Sequence, residues 1–278
     1  MVQSNNNRTV LITGASAGIG RAFAEIWAEA GFNLLLTARR EDRLQEIAHQ
    51  LQSEQDVQVN ILPMDLADPE APKKIHQHCL DNNIHIDALI NNAGYGMSGE
   101  FEQMNWDSHQ DFLQVMVNAV VQLTYLFLPG MIKKKYGRII NLASMAPFMP
   151  SPSMAGLYSP VKIFQIKFSE SIQIQYFDKG IFCSAVCPGL TRSEFHEAAG
   201  MHEVVNNSPN WLWMDSRTVA QQGFDAVMKG KTLIINGTLN KAFVILAKFI
   251  PEKTTKFLWN LMVYLSEIVQ KILPLNIR

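Results

Sequence analysis

Short apolar runs alternate along the chain with longer stretches in which apolar residues recur at helical spacing. The runs are typical of buried strands, and the longer stretches are typical of amphipathic helices. This alternation predicts an α/β protein, a three-layer α/β/α arrangement with a doubly wound parallel sheet and right-handed crossovers. The predicted strands are Thr9–Thr13, Leu34–Thr37, Val57–Leu62, Ala88–Asn91, Arg138–Leu142, Ile181–Cys187 and Leu233–Ile235. The predicted helices cover about Gly18–Ala30, Asp42–Gln55, Pro69–Asn83, Ser108–Lys135, a stretch before Ile181, and a stretch from Asp215 or Ser216 to Lys229.

A glycine-spaced turn, Thr13–Gly20, joins the first predicted strand to the first predicted helix. Gly14 would let the chain leave the strand sharply, and Gly18 would let the backbone approach a pyrophosphate. Gly20 would let the helix lie close to the sheet, and the start of that helix can bind a phosphate group. A plain tight turn is the weaker interpretation, because the glycines stand between a strand and a helix. The turn therefore predicts a dinucleotide-binding site.

The spacing Gly-x-x-x-Gly-x-Gly after Thr13, with the complete motif Asn91-Asn92-Ala93-Gly94 after the fourth strand, resembles the short-chain dehydrogenase/reductase family. The resemblance implies a Rossmann-type domain, a nicotinamide cofactor and hydride transfer to or from a carbonyl group. It leads us to divide the chain into a catalytic domain, 1–238, and an extension, 239–278. It also implies cofactor contacts at Gly14, Ser16, Gly18, Ile19, Gly20, Arg39, Arg40, Asp65, Leu66, Asn92, Ala93, Gly94, Tyr158, Lys162, Pro188, Gly189 and Thr191.

The end of the second predicted strand indicates which nicotinamide cofactor is bound. An acidic residue at this place in a dinucleotide fold binds the adenosine ribose, whereas an arginine accommodates a 2′-phosphate. Here the strand is followed by Arg39 and Arg40, with no carboxylate before Glu41. A solvated charge pair is the alternative, but the positive end of a helix dipole disfavours basic side chains. Two guanidinium groups predict NADP(H) rather than NAD(H).

Four residues match the family's catalytic positions: Asn118, Ser144, Tyr158 and Lys162. The resemblance implies that Tyr158 exchanges a proton with the substrate oxygen, which Ser144 polarises, and that Lys162 holds the nicotinamide ribose. Positive charge from Lys162 would lower the pKa of Tyr158, which as a free tyrosine is a poor acid–base group. Asn118 would lie on a buried face of its helix and kink the helix there. The kink would free the backbone carbonyl of Asn118 to bind a water molecule that relays protons. The alternative is that the Asn118 side chain forms a local hydrogen bond or faces solvent.

Two departures from the family pattern lie between Ser144 and Lys162. Tyr158 follows Ser144 after fourteen positions rather than the usual thirteen, and Pro160 replaces a small residue. Proline inside a helix removes a backbone hydrogen bond. An extra loop residue within 145–157 would reconcile both departures if Pro160 falls in the first helical turn.

Composition and charge narrow the class of protein. The net charge of −1 gives no reason to expect nucleic acid as a partner. Three cysteines, Cys79, Cys183 and Cys187, form neither a disulfide framework nor a metal cluster, which predicts a reduced, cytoplasmic protein without a metal site. The polar stretch 1–8 lacks the apolar core of a signal peptide.

Two stretches outside the motifs carry large apolar side chains. The segment Arg192–Met214 contains Phe195, Trp211 and Trp213, which predicts either a lid over a bulky, lipophilic substrate or a packed surface helix.

The segment Lys241–Arg278 carries six basic and two acidic residues, net +4, with apolar residues at helical spacing. Its helices would cap the substrate pocket, join the subunits of a homo-oligomer, or contact a membrane surface peripherally without spanning it.

Three functions remain in view. The matched residues predict an NADP(H)-dependent oxidoreductase that interconverts a small-molecule carbonyl compound and an alcohol. A protein that binds NADP(H) as a sensor or scaffold without turnover is the alternative, which the intact Ser144, Tyr158 and Lys162 disfavour. A sugar-nucleotide epimerase or dehydratase shares the Tyr-x-x-x-Lys pattern but normally has another glycine spacing and a longer chain.

Overall fold

Seven parallel strands form the single sheet of the computed structural model, which describes residues 8–97, 101–149, 156–195 and 208–249. The strand order is β3-β2-β1-β4-β5-β6-β7. The order reverses between β1 and β4, and the crevice at such a switch point is where ligands bind in open α/β sheets. The strands are β1 (Thr9–Thr13), β2 (Asn33–Thr37), β3 (Val59–Ile61), β4 (Ile86–Asn91), β5 (Gly137–Leu142), β6 (Ile181–Cys187) and β7 (Leu233–Ile235).

Helices cover both faces of the sheet and confirm the predicted α/β alternation. One apolar core lies under α1, α2 and α7, and a second lies under α3 to α6. Trp27 is fully buried in the first core, where its ring meets Phe32 and Phe224 edge-on at 4.6 and 4.9 Å. The helices are α1 (Gly18–Glu29), α2 (Glu41–Glu54), α3 (Ala71–Asp81), α4 (Trp106–Leu113), α5 (Ala119–Lys134), α6 (Tyr158–Tyr176), α7 (Ser216–Met228) and α8 (Thr238–Ala247).

The long helix predicted at Ser108–Lys135 is interrupted by one π turn. This turn, Gln114–Asn118, joins α4 to α5 and fits one extra residue into the helical path. The extra residue rotates the following side chains by about 100° relative to an unbroken helix. The helix is therefore interrupted near Asn118, where a kink was predicted, and the face on which each later residue lies is changed.

Pro160 is the third residue of α6 and does not break it. The first main-chain hydrogen bond of the helix runs from Val161 N to Leu157 O at 2.9 Å, one residue beyond the proline. A proline in the first turn lacks only an N–H that would have no intrahelical partner. Pro160 thus occupies the harmless position considered above, whereas Pro150 and Pro152 lie outside the described residues.

The predicted C-terminal extension begins as a helix, and α8 packs on the domain. Its buried Asn240 donates a hydrogen bond to Asn236 O at 2.8 Å and lies against Gly189, where a Cβ would approach within 2.6 Å. The predicted helix after Pro251 lies outside the described residues.

One described helical run has the length and apolarity of a membrane span. It is Trp106–Lys134, with a mean hydropathy of 1.7, and half of its most apolar window is buried inside the protein. Length and composition alone give weak evidence for a span, because the core helix of a soluble protein meets the same test.

Candidate active site

The glycine turn after β1 has the geometry that its sequence predicts. Gly14 and Gly18 adopt φ angles of +66° and +54°, which other residues rarely adopt. A Cβ on Gly20 would lie 2.2 Å from Gly14 O, so only glycine lets α1 start this close to the strand. Gly20 was predicted to contact the cofactor. Instead it packs on the turn itself and does not line the cleft described below.

The amide motif after β4 is tied directly to this turn. The Asn92 side chain donates to Thr13 O at 2.9 Å and to Gly14 O at 3.1 Å. The Thr13 hydroxyl accepts from the backbone N–H groups of Asn92 and Ala93, each at 3.0 Å. Asn91 meanwhile donates to Asn141 at 2.8 Å and so links β4 to β5. The motif therefore holds the two sides of the switch point at a fixed separation.

A cleft of about 740 Å³ lies at the carboxyl ends of strands β1 to β6. Its walls bring together the predicted site residues, with Asn118 and Gly20 as the exceptions. The lining includes Gly14, Ser16, Gly18, Ile19, Arg39, Arg40, Asp65, Leu66, Asn92, Ala93, Gly94, Ser144, Tyr158, Lys162, Pro188, Gly189 and Thr191.

One end of the cleft is rich in arginine. Arg39 is exposed at the rim, and Arg40 donates to the Ser16 hydroxyl at 3.1 Å. Arg40 also pairs with Glu194 at 2.7 Å, and Glu194 pairs in turn with Arg43. These two guanidinium groups hold the pKa of the Glu194 carboxyl below its ordinary value. The sequence interpretation identified Arg39 and Arg40 but missed Glu194, because 154 residues separate it from Arg40.

The other end of the cleft collects the predicted catalytic side chains. Ser144 follows the end of β5, and its hydroxyl accepts from Ala146 N at 3.1 Å. Tyr158 and Lys162 lie one turn apart at the start of α6 and are both buried. The Lys162 ammonium lies 5.7 Å from the Tyr158 ring centre. The ring of Phe195 lies 5.9 Å from that of Tyr158 on another side.

Asn118 was predicted to lie on a buried helix face, and this is wrong. The side chain is exposed, and it donates to Gln114 one turn earlier at 3.0 Å. The extra residue of the π turn accounts for this change, because it rotates Asn118 off the face that the apolar pattern defines. The local hydrogen bond was the alternative considered from the sequence.

The predicted lid is only partly present among the described residues. Phe195 lines the cleft, as the lid prediction requires. Trp211, Trp213 and Met214 do not line it; Trp211 and Met214 line a separate small cavity beside α8. Packing of a surface segment, the alternative interpretation, describes the half-buried Trp213 and Met214 better, whereas Trp211 is 62% exposed. Residues 196–207 lie outside the described part of the chain.

A sequence profile of the short chain dehydrogenase family matches residues 8–203, well over half of the chain. The chain belongs to this family. The match spans the strands and turns that build the cleft, so the resemblance noted from the motifs is confirmed. The seven-stranded parallel sheet confirms the Rossmann-type fold.

The relatives of this chain include both a protein named as inactive and a protein named as a reductase. The chain is 33% identical over 184 residues to "Inactive hydroxysteroid dehydrogenase-like protein 1" of Pongo abelii, covering 65% of this chain and 55% of the relative. It is 33% identical over 178 residues to "Very-long-chain 3-oxoacyl-CoA reductase" of Coprinopsis cinerea, covering 63% and 52%. The chain thus aligns with about half the length of each.

A solved short-chain dehydrogenase from Sphingobium yanoikuyae, in complex with NADPH, has a similar fold. The TM-score is 0.77 at 30% sequence identity, and the alignment covers 88% of this chain and 96% of that one. A nicotinamide cofactor is therefore a property of this chain's structural relatives.

Burial is the main cause of the pKa shifts of Tyr158 and Lys162 in the inner cleft. It raises the pKa of Tyr158 to about 12, although a hydrogen bond with Ser144 acts in the opposite direction. It also lowers the pKa of Lys162 from 10.5 to about 7. The predicted lowering of the Tyr158 pKa by Lys162 is not what the structure shows. A lysine that titrates near neutral pH supplies only part of a positive charge, and Tyr158 is left as a protonated hydroxyl.

Sequence reasoning missed a buried glutamine that contacts Lys162. The Lys162 ammonium donates to Leu142 O at 2.6 Å and to the Gln165 side-chain oxygen at 3.0 Å. The Gln165 amide donates in turn to Met116 O, inside the π turn, at 2.9 Å. These hydrogen bonds give the buried ammonium two acceptors, both of them neutral. A polar residue three positions after Lys162, on the same side of α6, was the signal available in the sequence.

Proposed function

We propose that this chain is an NADP(H)-dependent oxidoreductase that interconverts a carbonyl compound and an alcohol, with Tyr158 as the acid–base group. The convergence of Ser144, Tyr158 and Lys162 at one end of a cleft that begins at a glycine turn carries the proposal. Reduction of a carbonyl group requires side chains that bind or protonate the carbonyl oxygen. The hydroxyl and ammonium groups of these three residues can do so.

The residues present fit a dinucleotide. Gly14 and Gly18 line the cleft, and Cβ atoms on them would collide with neighbouring segments at 2.8 Å, so only glycine lets the backbone of the turn form this wall of the cleft. Ser16, Gly18 and Ile19 would hold the pyrophosphate at the start of α1. The nicotinamide of the cofactor would then lie towards Tyr158 and Lys162, and it would supply or accept the hydride.

The protonation states of Tyr158 and Lys162 in the inner cleft are compatible with carbonyl reduction near neutral pH. Tyr158 keeps its proton well above pH 7 because its pKa is raised to about 12, so its hydroxyl is present to donate a hydrogen bond to a carbonyl oxygen. The proton itself would follow as negative charge develops on that oxygen during hydride transfer. Ser144 would bind the same oxygen and polarise the carbonyl group. Lys162, with a pKa of about 7, can return a proton towards Tyr158 after each turnover.

A bulky or lipophilic substrate is the class we propose. Apolar side chains line the cleft beside Tyr158, including Val115, Met145, Leu190 and Phe195. A cleft of this composition binds a substrate mainly by its apolar part and orients it with a few polar groups. One relative is named as a reductase of very-long-chain 3-oxoacyl-CoA, which is in keeping with a long apolar substrate.

Oxidation of NADPH in the presence of a carbonyl panel tests this function. We expect saturable oxidation with acyl, steroid or aromatic ketones, faster than with acetone or a sugar at equal concentration. The apolar lining gives this order, because burying each extra CH₂ group contributes about 0.8 kcal/mol. Binding of NADPH with no oxidation of it across the whole panel would contradict the proposed activity.

Exchange of Arg39 and Arg40 for alanine tests the cofactor assignment. Charge-assisted hydrogen bonds to the 2′-phosphate contribute about 1.5–3 kcal/mol each, so NADPH should bind at least about tenfold more weakly. NADH lacks that phosphate, and its dissociation constant should change less than about threefold. Titration calorimetry with both cofactors measures the two constants. An unchanged ratio of NADPH to NADH affinity would refute the assignment.

A cofactor-binding protein without turnover is the second candidate. The observation that favours it is the 33% identity to a protein named as inactive. It would bind NADP(H) in the same cleft and report the cofactor's redox state. The presence of Tyr158, Lys162 and Ser144 in one cleft favours the enzyme.

We further propose a cytoplasmic homo-oligomer, with peripheral membrane contact through the segment 239–278 as an additional property. Support for an interface comes from exposed apolar side chains on the outer helices, including Tyr125 on α5 and Ile174 on α6, which are 73% and 80% exposed. Support for a membrane contact comes from the exposed Leu246 and Phe249 at the end of α8 and from the net positive charge of the extension.

A further inference from the structure

A short segment after β6, Thr191–Phe195, contributes four residues to the lining of the cleft; we call it the strap. At one end of the strap, Phe195 lies against Tyr158. In the middle, Ser193 packs on the glycine turn, where a Cβ on Gly18 would approach its side chain within 2.8 Å. Towards the arginine-rich rim, Glu194 reaches Arg40. The strap therefore touches both ends of the proposed cofactor site.

Glu194 places a carboxylate where the cleft is built to receive an anion. One carboxylate oxygen accepts from Arg40 at 2.7 Å, and the other pairs with Arg43. Arg40 also contacts the Ser16 hydroxyl, a further group suited to an anion. A carboxylate bridging two guanidinium groups uses the same donors that a phosphate monoester would use. Glu194 thus stands in the place of an external phosphate.

We infer that Glu194 competes with the adenosine 2′-phosphate of NADP(H) for Arg40, and that Glu194 thereby sets how strongly the cleft prefers the phosphorylated cofactor. This inference rests on the proposed function, because it assumes that the arginine-rich end receives the 2′-phosphate. It adds a specificity-determining residue that lies far from the second strand in sequence.

A phosphate can replace Glu194 as the partner of Arg40, because the ion pair between these two residues is open to water. The Glu194 side chain is 47% exposed and that of Arg40 is 41% exposed, and ion pairs this open to water are weak. Arg40 lines the cleft, but Arg43 does not. When a phosphate binds Arg40, Glu194 loses its ion pair with Arg40. It keeps its ion pair with Arg43. The remaining negative charge still opposes a dianionic phosphate nearby.

Titration calorimetry with adenosine 2′,5′-bisphosphate and with 5′-AMP tests the inference on the adenosine end alone. The variant is Glu194→Gln, which keeps the shape of the side chain and removes its charge. The matched control is Glu29→Gln, because Glu29 also forms an exposed ion pair with an arginine, Arg217, at 2.8 Å but lies outside the cleft.

Glu194→Gln should bind the 2′,5′-bisphosphate about three- to tenfold more tightly than the unchanged protein, as removal of one exposed charge beside a dianion predicts. Its affinity for 5′-AMP should stay within about twofold, since 5′-AMP has no 2′-phosphate. Glu29→Gln should leave both dissociation constants unchanged. The gain should shrink at high salt, where the charges are screened.

Equal or weaker binding of the 2′,5′-bisphosphate by Glu194→Gln would overturn the inference. If the unchanged protein still prefers the 2′,5′-bisphosphate in that case, the proposed NADP(H) preference stands without a role for Glu194. If only the variant shows the preference, the inference holds and the proposed preference of the unchanged protein fails.

Discussion

Tyr158→Phe should lower the turnover of NADPH with a carbonyl substrate by about three orders of magnitude or more. The loss of one general acid costs about 10²–10⁴-fold, and the phenyl ring also fails to orient the substrate oxygen. Burial keeps the Tyr158 hydroxyl protonated, although its hydrogen bond with Ser144 opposes the rise of its pKa. The rate of NADPH oxidation at saturating substrate measures the effect.

Two controls separate chemistry from folding in this experiment. The dissociation constant of NADPH should change less than about threefold, because phenylalanine keeps the ring packed against Phe195. Tyr136→Phe removes a hydroxyl from a residue that precedes β5 and does not line the cleft, and it should retain normal turnover. Turnover by Tyr158→Phe within about tenfold of the unchanged protein would exclude Tyr158 as the proton donor.

Lys162→Met should change how stability depends on pH. The unfolded chain keeps the Lys162 proton up to a pH near its ordinary pKa of 10.5, whereas the folded protein releases it near its pKa of about 7. Buried charge therefore destabilises the unchanged protein fully below pH 7, and this penalty is relieved as the pH rises from 7 to 10.5. From pH 6 to pH 9 the relief is about 2–3 kcal/mol. Methionine carries no charge, so the variant lacks this dependence.

The free energy of unfolding in urea at pH 6 and pH 9 measures the difference between the two proteins. The advantage of Lys162→Met should be about 2–3 kcal/mol greater at pH 6 than at pH 9. Tyr158 and the three buried cysteines, each with a pKa raised to about 12, titrate in both proteins and cancel in this comparison. Lys167→Met, which removes an exposed lysine from the same helix, is the control and should show no such change. If the two proteins differ by the same free energy of unfolding at pH 6 and pH 9, a charged Lys162 does not destabilise the folded protein.

Much of the fold and of the site could be predicted because the relevant signals are local. Apolar runs located the seven strands, and each motif followed directly on a strand, at the edge where parallel strands end together. Strand boundaries were less predictable. The third predicted strand, Val57–Leu62, shortens to Val59–Ile61 because strand pairing with β2 decides where the ladder starts and ends.

The features that escaped prediction depend on contacts between distant parts of the chain. Glu194 pairs with Arg40 only because the segment after β6 folds back over the end of β2. The side chain of Asn118 turned outward because one extra residue in a π turn rotates the helix, and apolar periodicity does not reveal such an insertion. The direction of the Tyr158 pKa shift depended on the depth of burial, which the sequence does not reveal and which outweighs the hydrogen bond with Ser144.

Transfer of deuterium from NADPH that carries deuterium at both C4 positions of the nicotinamide tests the central claim most directly. The protein would be incubated with the labelled cofactor and the carbonyl compound that accelerates NADPH oxidation most, and the product would be analysed by mass spectrometry. The account predicts one deuterium on the carbinol carbon of the alcohol product, formed by the unchanged protein and not by Tyr158→Phe. Consumption of NADPH without a deuterated alcohol, or equal label from both proteins, would contradict a Tyr158-dependent carbonyl reduction.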